Sequence, residues 1–104
     1  MNGREVLKKA EELVYGDRGE GYGPPYEDYL RTTALFANIT DICLSPAQGI
    51  MFMMCVKLSR EIYLHQDDNL VDLVGYVACL ADAIEFVKPA SFCPDVEEAL
   101  NGKG

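Results

Sequence analysis

The chain has 104 residues, 49% of them hydrophobic, which fits one globular domain and excludes a largely disordered one. Its 17 acidic residues outnumber 9 basic ones, for a net charge of −8, so general DNA or RNA binding is not expected: a negative surface repels phosphate backbones. No apolar run reaches the ~18 residues of a membrane span, and Met1-Asn-Gly-Arg-Glu lacks the apolar core of a secretory signal, so a cytoplasmic protein without membrane partners is expected.

The hydropathy pattern predicts one all-α domain over residues 1–104, with helices at about 3–15, 26–40, 46–64 and 69–87 and a tail over 88–104. In the first helix Val6, Leu7, Ala10, Leu13 and Val14 form one stripe, Asn2 is the expected cap and Gly16 the expected terminator. Asp17 to Pro25 carries three glycines and two prolines and reads as a loop. The second helix starts near Tyr26 or Glu27, and its apolar side includes Tyr29, Leu30, Thr33 and Phe36. Ser45-Pro46 is a strong start for the third, with Ser as cap and Pro in the first turn. Asp67 or Asp68 is the expected cap of the fourth, and Pro89 ends it. A short turn or helix over Asp95–Leu100 is expected in the tail.

The third helix is apolar on every side from Ile50 to Val56, and Leu70, Val71, Leu73, Val74, Val77, Leu80, Ala81 and Ile84 cover most of the fourth. Only the narrow stripe Asp68, Asp72, Gly75, Tyr76 and Cys79 interrupts them. Helices apolar nearly all round must be covered nearly all round. A chain this short has few elements for that, so a homodimer or larger homo-oligomer is expected. Cys43, Cys55, Cys79 and Cys93 show no paired spacing and read as free, buried thiols of a reducing compartment.

Lys57, Arg60, Glu61, His65, Asp68 and Asp72 gather around the expected turn between the last two helices. Lys57 and Glu61 share one face of their helix, as do Asp68 and Asp72, and an antiparallel pair would bring the two stripes together. A carboxylate at Asp72, flanked by Leu and Val, requires a cation or several donors. One solution is an ion pair with Lys57 or Arg60 that sets helix register. Another is Mg²⁺ on Glu61, Asp68 and Asp72, which takes oxygen ligands and substrate phosphates. His65 reads more simply as a turn residue than as a ligand. In the glycine-rich loop, Arg18 suits a phosphate and Tyr22 or Tyr26 a base. With Tyr76 one turn beyond Asp72, the candidate ligand-binding residues are Arg18, Tyr22, Tyr26, Lys57, Arg60 and Tyr76.

Gly16-Asp-Arg18, then Tyr22-Gly23-Pro24, Lys57-Leu-Ser-Arg60 and Asp68-Asn-Leu-Val-Asp-Leu-Val-Gly-Tyr76 resemble a small domain of phage and prophage proteins, over about residues 4 to 86. That domain carries no assigned activity, and the resemblance places the chain in a bacterial or phage-infected cell. The segment from Asp72 to Tyr76 also resembles the last metal-binding helix of the MazG-like, all-α nucleoside triphosphate pyrophosphatases. This likeness implies a four-helix antiparallel bundle, Mg²⁺ held by ExxE and ExxD motifs, and hydrolysis of a nucleoside triphosphate to a monophosphate and pyrophosphate. The chain departs from that pattern. Lys57 and Arg60 surround a single Glu61, and Asn69 stands where the family has Glu. The expectation is therefore a nucleotide-binding protein whose lost acids are replaced by bases. An active Mg²⁺-dependent pyrophosphohydrolase and a structural helical adaptor are the alternatives.

Overall fold

A computed structural model describes residues 1–16 and 25–87. The described residues form four helices: α1 Gly3–Tyr15, α2 Pro25–Thr40, α3 Pro46–Tyr63 and α4 Asp67–Val87. The expected elements are all present, and the terminal turn over 95–100 lies outside the described residues. α1 opens on a capping box, with the Glu5 amide donating to Asn2 Oδ1 and the Asn2 amide donating to Glu5 Oε1, both at 2.9 Å. α3 opens the same way: the Gln48 amide donates to Ser45 Oγ at 3.1 Å and the Ser45 amide to Gln48 Oε1 at 3.0 Å. α2 stops at Thr40 because Asp41 turns left-handed, at φ 61°, and donates its amide to Ala37 O.

Two boundaries differ from expectation. α4 begins at Asp67, so Asp67 and Asp68 lie in its first turn and face the positive end of the helix dipole instead of capping it. Gly16 ends α1 with φ −81° and not in the left-handed region. Glycine is needed there for space, since a Cβ would stand 2.3 Å from Glu12 O.

α3 and α4 form a central antiparallel pair. Glu61 reaches Asn69, Lys57 reaches Asp72, and Ile50 shares a cluster with Cys79 and Ala83. α1 packs on α4, while α2 packs on both α3 and α4. One core cluster joins Tyr29, Ile50, Cys79 and Ala83, and a second joins Val6, Ala10 and Val71. α2 approaches α3 closely at Gly49, where a Cβ would lie 2.7 Å from Thr33 Cγ2.

On α4, Val71, Gly75, Cys79 and Ala83 are buried, whereas Val77 and Ile84 are exposed. Gly75 and Cys79 of the interrupting stripe are thus packed, while its Asp68 is exposed. On α3, Gly49 and Ile50 are buried while Met51, Phe52, Leu58 and Ile62 are exposed.

The cysteines differ from the four buried thiols expected. Cys43 is disulfide-bonded, so the cysteines do not indicate a reducing compartment. Neither Cys79, which is buried, nor Cys55, which is exposed, is in a disulfide. No described helix is long and apolar enough to cross a membrane.

Candidate functional site

The charged cluster divides into two closed groups that bridge α3 and α4. In the first, Lys57 Nζ lies 2.8 Å from Asp72 Oδ2. The Lys57 side chain is only 14% exposed and that of Asp72 33%, so the pair is partly shielded from water. One turn beyond Lys57, Arg60 is exposed and has no carboxylate partner among the described residues. Of the two bases considered for Asp72, only Lys57 makes the pair.

The second group closes the turn between the helices. Glu61 Oε1 accepts from the Gln66 amide and from Asn69 Nδ2, each at 3.1 Å. Its other oxygen meets His65 Nδ1, and His65 Nε2 lies 3.4 Å from Asp67 Oδ1. The hydrogen bond to His65 is the main reason the Glu61 pKa falls below its ordinary value. The same contact, followed by attraction to the Glu61 charge, raises that of His65. Asn69 is 7% exposed and also donates to Leu64 O at 3.5 Å. His65 is a turn residue, as expected, and its imidazole links two carboxylates across the turn.

This geometry decides how the Mg²⁺ ligands proposed from sequence fare. Glu61 spends both oxygens on the turn, Asp72 faces an ammonium, and Asp68 is exposed in the first turn of α4. Among the described residues no group of three His, Cys, Asp or Glu side chains is gathered to hold a metal ion. The donor set therefore does not fit Mg²⁺, which needs several hard oxygens turned to one point. The physical reason is Asn69. A Glu there would set a second carboxylate beside Glu61 and call for a cation, whereas the amide donates to Glu61 and satisfies it.

Tyr26 and Tyr76 are half-buried against the cluster of Tyr29, Ile50, Cys79 and Ala83. Tyr29 and Tyr76 meet edge to face, with ring centroids 6.5 Å apart. Arg18 and Tyr22 lie outside the described residues. The sequence reading missed the bond from Tyr15 Oη to Asp82 Oδ2, at 2.6 Å, which ties the end of α1 to α4. It pushes the Tyr15 pKa up to about 12, chiefly because the phenol proton is held by the carboxylate. It missed Asn69 as a structural donor as well, although the Glu61 and Asn69 spacing across a short turn was the available signal.

Comparison with known proteins agrees with the phage-domain resemblance. The chain is similar to the Gene 55 protein of Mycobacterium phage D29, 26% identical over 76 residues that span 72% of this chain and 50% of the relative. It is also similar to the Gene 55 protein of Mycobacterium phage L5, 32% identical over 78 residues, 72% of this chain and 49% of the relative. The chain thus spans about half the length of the curated relatives it matches. No solved structure matches it. A family model covers residues 5–84, which include both clusters of the candidate site, and the chain belongs to that family, described as a domain of unknown function (DUF6378).

Proposed function

We propose that the chain binds a nucleotide through its phosphates, without hydrolysing it, at the part of α3 and α4 that carries Lys57, Arg60 and Tyr76. The observation that supports this is the pattern of bases. Lys57 and Arg60 are one turn apart, and only Lys57 is neutralised by a carboxylate among the described residues. A guanidinium free of a carboxylate pairs with phosphate directly and needs no metal. Lys57 adds a second contact if Asp72 turns away, and Asp72 then faces water at little cost because it is already one-third exposed. Tyr26 and Tyr76 offer aromatic surface for a base. The absence of a gathered carboxylate set among the described residues weighs against a Mg²⁺-dependent reaction.

The test is thermal shift with a panel of nucleoside triphosphates, monophosphates and cyclic dinucleotides, with and without Mg²⁺. A shift that persists without Mg²⁺ and is lost in Arg60→Ala is the expected result. Pyrophosphate release that requires Mg²⁺ and disappears in Asp72→Asn would replace this reading with the hydrolase. No shift with any nucleotide would leave the structural adaptor, a reading favoured by the closure of both polar groups across the α3–α4 interface.

A further inference from the structure

Among the described helices, the α3–α4 pair has packed neighbours on one side only. At about 100° per residue, Met51, Cys55, Leu58 and Ile62 fall on one stripe of α3, and Val77 and Ile84 fall on one stripe of α4. Both stripes lie away from the positions that meet α1 and α2: Val71 and Gly75 on α4, and Gly49 on α3. Because the helices run antiparallel, the two stripes turn to the same side of the pair. Met51 is 44% exposed, Leu58 46%, Ile62 86%, Val77 48% and Ile84 40%, and Cys55 is exposed too. The result is an apolar face two helices wide.

We propose that this face is covered by the same face of a second copy, giving an isologous dimer with α3 and α4 of both protomers in a central four-helix layer. Three observations select this occupant. The first is charge. With a net charge of −8, two copies repel over most approaches, yet neither stripe contains a charged residue. A surface without charge is self-complementary under a two-fold axis, as an isologous contact requires. The second is area. Helices of this length and spacing present a footprint of roughly 27 by 20 Å, corrugated by side chains, the order of the ~800 Å² that each partner buries in a standard interface. The third is the division of α4. Val71, Gly75, Cys79 and Ala83 serve the internal core, so Val77 and Ile84 are left for a contact outside the protomer.

The experiment is sedimentation equilibrium of the full chain at micromolar concentration, with alkylation of Cys55 as a second readout. Among the described residues Cys55 is the exposed free thiol, and Cys79 is buried. The expected mass is twice the 11.5 kDa of the chain, with Cys55 slow to react. Val77→Glu and Leu58→Glu each place a charge on the face; both should halve the mass and speed Cys55 alkylation while keeping the helical circular dichroism spectrum. Leu35→Glu, on the outer side of α2 and 62% exposed, should leave the dimer intact. A monomer with fast Cys55 alkylation overturns the proposal by showing the face open. A monomer with slow alkylation overturns it in favour of another segment, such as residues 88–104. A dimer broken by Leu35→Glu but not by Val77→Glu overturns it by locating the contact on α2.

Discussion

Gly49→Ala adds one methyl group at the closest approach of α2 and α3. The new Cβ would stand 2.7 Å from Thr33 Cγ2 and 3.6 Å from Tyr29 Cδ1. Thr33 has no easy escape. It is 5% exposed, its χ1 is stiff because the side chain is β-branched, and its hydroxyl donates to Tyr29 O at 2.8 Å. Rotating the methyl away would break that bond, so the helices must separate. Overpacking of this kind costs about 1–3 kcal/mol. Against it, Ala is better than Gly in a helix interior by about 1 kcal/mol. The expected net effect is a loss of up to about 2 kcal/mol, read from urea denaturation followed by circular dichroism. Thr33→Ser removes the offending methyl and keeps the hydroxyl. Alone it should cost about 1 kcal/mol for the lost methyl; combined with Gly49→Ala it should return the protein to near parental stability, a coupling of about 1–3 kcal/mol. Gly75→Ala is the control, because its Cβ meets only Val14 Cγ2, at 3.2 Å. There the helix propensity gain and the mild crowding should nearly cancel, within about 0.5 kcal/mol. A Gly49→Ala protein more stable than the parent, or one whose effect simply adds to that of Thr33→Ser, would refute the packing described for α2 on α3.

The turn between α3 and α4 should respond to pH with a definite sign. His65 has a pKa raised above 6.5, so its contribution is complete below that pH and is lost as pH rises through the raised value. Glu61 has a pKa lowered from 4.5, so its contribution is present above that pH and lost as pH falls through the lowered value. Protection of the Gln66 amide from exchange should therefore be greatest between about pH 4.5 and 6.5, and His65→Gln should remove its upper limb. An NMR titration placing His65 at or below the ordinary imidazole value would count against the contact with Glu61. Asn69→Asp exchanges the Glu61 donor for a second carboxylate; its melting temperature should fall at neutral pH, with the gap from the parent narrowing as one acid is protonated. Equal loss at both pH values would mean that Asn69 acts by packing alone. Tyr15→Phe removes an exposed bond to Asp82 and should cost less than about 1 kcal/mol, measured by chemical denaturation.

The helices were legible because their signals are local. Asn2 with Glu5 and Ser45 with Gln48 cap within a single turn, and both boxes form as the sequence implies. The start of α4 was less legible. Asp67 and Asp68 suit both a cap and a first turn, and the bond from the Asn69 amide to Gln66 O sets the helix earlier. The cluster was legible as a set of residues but not as a set of partners. Spacing brought Lys57, Glu61 and Asp72 to facing stripes, yet a one-dimensional pattern does not say that Asn69 would donate to Glu61. Which face of α4 turns inward was not legible, because hydropathy ranks Val77 and Ile84 above Gly75 and Cys79, whereas Gly75 and Cys79 are packed and Val77 and Ile84 exposed.

α1 is held chiefly by α4. Its attachments are the cluster of Val6, Ala10 and Val71, the contact of Val14 with the main core, and the Tyr15–Asp82 bond. The remaining three helices contact one another mutually, so none of them leaves without disrupting the Ile50 cluster. Opening should therefore occur in two steps of unequal cost. The first helix peels away as a separate cooperative unit, and its amides exchange with solvent at a free energy below that of global unfolding. That departure would bare Val71 and Gly75, turning a groove used within the protomer into a transient receptor for any amphipathic helix of matching length.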